Sequence, residues 1–158
     1  MQITTLLDLG RIACQQGSSS KKRTLDLVSR LLADALPDYS DGELFDSLVH
    51  RERLGSTGLG QGVALPHGRL NGLSTPLAAL VTLSDGGVDF DAVDGQPVDL
   101  LFALLVPEES TDEHLQILAR LAAMFSDSEF CQSLRACTSA QQCLDQVSHW
   151  DIRQSLSA

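Results

Sequence analysis

A chain of 158 residues with 43% hydrophobic side chains can bury roughly 70% of the surface its unfolded form exposes, enough for one domain whose core needs no covalent staples. The formal charge of −10 argues against a nucleic-acid backbone or an anionic membrane as partner and favours a basic one, because a polyanion is repelled over most of such a surface. Lys21-Lys22-Arg23 is the one basic cluster, and it reads as a solvated helix start. Cys14, Cys131, Cys137 and Cys143 show neither C-x-x-C spacing nor zinc-like intervals to histidine, so they read as small core residues or partly exposed thiols in a reducing compartment. The chain begins without a basic-then-apolar leader and contains no apolar run of about 18 residues, so a cytoplasmic protein with no membrane insertion is expected.

In chain order, the weak alternation of Ile3, Leu6, Leu7, Leu9 and Ile12 predicts a short strand near 11–14. Gly17-Ser18-Ser19-Ser20 breaks the chain, and Ser20 or Thr24 can cap the next element. Over 24–36, Leu25, Val28, Leu31, Leu32, Ala35 and Leu36 keep a helical rhythm that Pro37 ends. Ser40 and Glu43 form a capping box for a second helix, with Leu44, Phe45, Leu48 and Val49 as its buried face. That helix delivers Arg51 into a loop holding Gly55, Gly58, Gly60 and Gly62. Val63-Ala64-Leu65 follows as a strand, and at its end Pro66-His67-Gly68 presents an imidazole between a residue of fixed φ and one with no side chain, which leaves one side of the ring sterically open. Residues 77–83 form an apolar run of strand length, buried on both faces. Turns at Asp85-Gly86-Gly87 and Asp94-Gly95-Gln96 precede the apolar run 98–106, a central strand or else a buried helix. Ser110 and Glu113 make another capping box, opening a helix with His114 in its first turn and Leu115, Leu118, Leu121, Ala122 and Phe125 as its stripe. Helices over 128–136 and 139–150 follow, and 151–158 reads as a frayed tail. Together these elements predict a three-layer α/β/α domain around a mixed sheet, one domain over 1–158 without linker or repeat.

Several common reaction types lack their motif: there is no G-x-x-x-x-G-K-[ST], no H-E-x-x-H and no G-x-S-x-G. His67 remains, since a neutral imidazole is a competent nucleophile near neutral pH. A phosphoryl dianion arriving there needs donors. Loop amides, the hydroxyls of Ser56 and Thr57 and a guanidinium from Arg51 or Arg53 are available, and His114 at a helix N-terminus adds another. Each also has an ordinary structural reading: a hydrogen-bonded surface histidine, a solvated arginine, a connecting loop. Composition and spacing alone stop at a cytoplasmic α/β domain with a candidate reactive histidine.

The segment RERLGSTGLGQGVALPHGR, residues 51–69, resembles the active-site segment of the second structural class of IIA proteins of the bacterial phosphoenolpyruvate-dependent phosphotransferase system, the fructose/mannitol-like class. FDAVDGQPVDLLFALLVPEESTDEHL, residues 90–115, is similar to the nitrogen-regulatory branch of that class, as is Ser-Lys-Lys-Arg at 20–23. The resemblance implies a mixed sheet in the order β-α-α-β-β-β-α-α-α. It also implies that His67 accepts a phosphoryl group from a small histidine-phosphorylated carrier, HPr or its nitrogen-branch counterpart NPr. The arginine sixteen residues earlier falls on Arg51 and the second active-site histidine on His114. Implied partners are that carrier and regulatory targets such as potassium-transport or sensor-kinase components; no cofactor or metal is implied. Two other functions compete: a sugar-specific IIA component passing phosphate to a IIB domain, and an interaction module whose histidine is never phosphorylated.

Overall fold

The computed structural model describes residues 1–109 and 111–157. Two 3₁₀ turns, Ile3–Leu6 and Leu9–Arg11, lead into β1 (Ile12–Gln16), followed by helices α1 (Lys21–Ala33) and α2 (Asp41–Leu54). Next come β2 (Gly58–Gly60), β3 (Val63–Ala64), β4 (His67–Leu70), β5 (Leu77–Leu83) and β6 (Leu100–Pro107). Helices α3 (Thr111–Phe125), α4 (Ser128–Ala136) and α5 (Ala140–Ser157) complete the chain. The strands form one mixed sheet in the order β1-β5-β6-β3-β2, with β4 also paired to β6. The expected three-layer α/β/α architecture is what the chain adopts, but five strands rather than three separate α2 from α3, because the glycine loop contributes β2 and Pro66 divides the stretch around His67 into β3 and β4.

The two longest strands show why the sheet needs helices on both faces. Along β6, Leu100, Phe102, Leu104 and Val106 enter the core shared with α3, α4 and α5, while Leu101, Ala103 and Leu105 enter the core shared with α1 and α2. The strand alternates with period two, but both sets are apolar, which is why the sequence shows an unbroken hydrophobic run. This excludes the buried-helix alternative for 98–106.

Capping follows the local chemistry. Ser20 Oγ accepts from the Arg23 amide, so α1 starts three residues before the expected position. Thr24, the other candidate cap, is buried and donates its hydroxyl to the Ser20 carbonyl. Ser40 Oγ accepts from the Glu43 amide at 3.1 Å. The box expected at Ser110 falls outside the described residues.

Two expectations are corrected. The tail does not fray at 151: α5 runs to Ser157, because buried Asp151 accepts hydrogen bonds from the Ile3 and Thr4 amides and the Thr4 hydroxyl, at 2.9–3.0 Å. The α3 stripe is also rotated. His114, Ile117, Leu121, Met124 and Phe125 are buried, whereas Leu115 is 60% exposed and Ala122 is exposed. Hydropathy places a leucine inward and a histidine outward; here tertiary packing reverses the two.

Candidate active site on the edge strand

β3 and β4 run along β6 in one continuous register, Val63 opposite Leu100, Ala64 opposite Leu101, His67 opposite Leu104 and Gly68 opposite Leu105. The interruption falls at Leu65-Pro66, where proline brings no N–H to the ladder. His67 therefore opens β4 rather than sitting in a turn at the end of a strand. Gly68 also has a different task from the one its sequence setting implies. A Cβ at that position would collide with Ser47 Oγ, so the glycine lets β4 approach α2 closely instead of leaving space beside His67.

His67 is half-buried, and its Nδ1 lies 2.7 Å from the Leu65 carbonyl oxygen. A carbonyl can only accept, so Nδ1 carries the proton and Nε2 keeps its lone pair. Burial is the largest influence on the ring and pushes its pKa below the ordinary histidine value. The Leu65 bond and the Glu52 carboxylate oppose that push, and the Arg51 charge adds to it. The ring is thus held neutral at neutral pH.

The ring lines a cavity of about 560 Å³ together with Ser47, His50, Arg51, Leu54, Gly68, Arg69 and His114. Ser47, His50, Arg51 and Leu54 follow i, i+3, i+4, i+7 spacing, one stripe of α2. Arg51 is anchored at the end of that helix, its Nη1 donating to the Gly55 carbonyl at 2.8 Å. From the other side comes His114, whose ring centroid lies 5.4 Å from that of His67 with the planes at 69°. His114 is 7% exposed, and neither ring nitrogen has a hydrogen-bond partner among the described residues. Burial, then the positive charges His67, Arg69 and Arg51 can present, hold it below the ordinary histidine pKa. A buried imidazole without a partner is costly unless something fills the space beside it. Facing two guanidinium groups, the fitting occupant is an anion.

The geometry brings together Arg51, His67 and His114 but not Ser56 and Thr57. Thr57 is buried, its hydroxyl donating to Glu52 Oε2 at 2.5 Å and its amide to the same carboxylate at 3.1 Å. Lys21 Nζ stands 2.7 Å from Glu52 Oε1, completing the cluster. Ser56 donates to the Phe90 carbonyl and accepts from the Gly58 amide, and the Gln61 amide donates to Asp94. These loop donors brace the loop instead of facing the cavity, so Ser56 and Thr57 have no place in the chemistry below. Arg53, the alternative guanidinium, lines a separate depression beside Lys21, Lys22 and Phe45. Arg69 went unread in the sequence although strand alternation places it on the face of His67. Among the described residues no cluster of three or more His, Cys, Asp or Glu side chains is placed to hold a metal ion.

With this geometry established, comparison with known proteins gives a consistent result. The family described as "Phosphoenolpyruvate-dependent sugar phosphotransferase system, EIIA 2" matches residues 5–150. A protein of Pseudomonas aeruginosa called "Nitrogen regulatory protein" is 45% identical over 141 residues, 89% of this chain and 91% of that one. The "PTS system fructose-specific EIIA component" of Haloferax volcanii is 33% identical, covering 90% of this chain and 92% of its own. The crystal structure of nitrogen regulatory protein IIA-Ntr from Neisseria meningitidis superposes with a TM-score of 0.85 at 41% identity, over 92% of this chain and 98% of that one. The chain belongs to the EIIA type 2 family of the phosphoenolpyruvate-dependent phosphotransferase system, in its nitrogen-regulatory branch.

Proposed function

We propose that the protein is a regulatory phosphocarrier of the cytoplasm: His67 takes a phosphoryl group from a histidine-phosphorylated carrier of the NPr or HPr kind, and its phosphorylation state governs binding to target proteins. The observation that carries this reading is the pairing of His67 Nδ1 with the Leu65 carbonyl beside a cationic cavity that also holds an unpartnered buried imidazole. The lone pair on Nε2 attacks phosphorus in line with the carrier's P–N bond. As the new N–P bond forms the old one breaks, and the carrier's imidazole, protonated on its other ring nitrogen, leaves neutral with the bonding pair. His67 ends with phosphoryl on Nε2 and its proton still on Nδ1, where the carbonyl stabilises the positive ring. Arg51 and His114 donate to the equatorial oxygens, positioning the group and balancing its charge.

Around the cavity the surface suits a protein donor. Leu54 is 74% exposed at the mouth, and Leu115, next to His114 in sequence, is 60% exposed. The family resemblance points to potassium-transport and sensor-kinase components as targets. Incubation with phosphoenolpyruvate, enzyme I and the carrier should add one phosphoryl group to the wild-type chain and none to His67→Ala; labelling that survives the substitution would refute the assignment. The sugar-specific reading draws support from the fructose-specific relative. Transfer from the phosphorylated chain to a fructose or mannitol IIB domain would establish it in place of the regulatory role.

A further inference from the structure

Arg69 stands two residues beyond His67 on β4, and alternation puts both side chains on one face of the strand while Gly68 turns to α2. The residue is exposed yet lines the cavity of His67 and His114. Its side chain makes no hydrogen bond or ion pair with any described residue, and its backbone carbonyl accepts from Ser47 Oγ at 3.4 Å. Among the described residues the guanidinium has no partner holding it, whereas Arg51 is tied to the Gly55 carbonyl. Two residues of strand span about 6.6 Å, within the reach of an extended arginine side chain. An arginine there can close on an anion seated at His67 Nε2 with two parallel N–H donors.

Taking the phosphoryl-acceptor reading of His67 as given, we propose that Arg69 is a second phosphoryl-binding residue, a mobile guanidinium that engages the oxygens of the incoming group opposite the anchored Arg51. The two arginines then divide the work. Arg51 is held at the end of α2 before the anion arrives, and Arg69 closes on it from solvent. Because Arg69 reads the dianion itself, its contribution is present with a donor no larger than phosphoramidate. In that reaction His67 Nε2 forms the N–P bond, and the donor's P–N bond breaks to release neutral ammonia from the zwitterion.

The test measures His67 labelling by phosphoramidate in wild type, Arg69→Gln and Arg69→Lys, with thermal unfolding as a control. Arg69→Gln should raise the half-saturating phosphoramidate concentration about tenfold, the loss of one charge-assisted contact, without lowering Tm; Arg69→Lys should recover part of the loss. In parallel, inorganic phosphate titrated against the His67 and His114 ring resonances should bind about tenfold more weakly to Arg69→Gln. That titration reads Arg69 even if no phosphoryl group is transferred, so failure of the acceptor reading and failure of this assignment are separate results. An unchanged phosphoramidate dependence and phosphate affinity overturn the assignment. A defect seen only with the carrier protein overturns it too, and makes Arg69 a contact for the carrier's surface instead.

Discussion

Thr57→Val isolates the cluster that braces the loop before the active strand. Valine keeps the branched shape of threonine and removes only the hydroxyl, which donates to Glu52 Oε2 at 2.5 Å in a site where Thr57 is 5% and Glu52 7% exposed. A hydrogen bond to a charged acceptor contributes about 1.5–3 kcal/mol when its partner stays buried. Lys21 Nζ at 2.7 Å and the Thr57 amide continue to serve the carboxylate, so the expected loss is about 2 kcal/mol. For a domain of this size that is a fall in Tm of roughly 4–8 °C. Denaturant unfolding at neutral pH, with m unchanged, is the assay. The initial rate of phosphorylation should fall as well, because Glu52 sits next to Arg51 at the end of α2. A Thr57→Val protein within about 0.5 kcal/mol of wild type, the range of ordinary surface changes, would refute the idea that this hydroxyl holds the loop.

Other outcomes follow from the same geometry. Gly68→Ala should cost about 1–3 kcal/mol through the collision with Ser47 Oγ, and adding Ser47→Ala should recover most of it; equal instability of the double variant in denaturant would contradict the contact. Asp151→Ala strands the buried Ile3 amide and the part-buried Thr4 amide near the N-terminus and should cost about 2–3 kcal/mol, against no effect for a frayed tail. The pH dependence has a definite sign. His67 and His114 both have native pKa values below the ordinary 6.5, so between that value and their native values the unfolded chain binds more protons. Stability should therefore be full above about pH 6.5 and fall as the pH drops through the native values. His114→Gln should flatten that slope, and a slope unaltered by the substitution would show that His114 is not the group responsible.

The sheet and its covering helices were legible because β5 and β6 are apolar on both faces and because Ser20 and Ser40 are strong local caps. His67 was legible through Pro66, although the proline interrupts a strand rather than ending it. The orientation of α3 was not legible. Leu115 outranks His114 in any hydropathy stripe, and only the facing His67 and the two arginines explain why the imidazole turns inward. The glycine loop misled for a related reason: its amides and hydroxyls are the right chemistry for an anion, but Glu52, Phe90 and Asp94 claim them, and those partners are set by tertiary contacts. Arg69 could have been found from strand alternation alone, and the face of α2 carrying Ser47, His50, Arg51 and Leu54 from helical spacing.

The most direct test is long-range proton–nitrogen correlation spectroscopy on imidazole-labelled protein, before and after phosphorylation by the carrier. The account predicts that His67 begins as the neutral Nδ1–H tautomer and that the phosphorus coupling appears on Nε2 alone. Phosphorus on Nδ1, or on any residue other than His67, would contradict it.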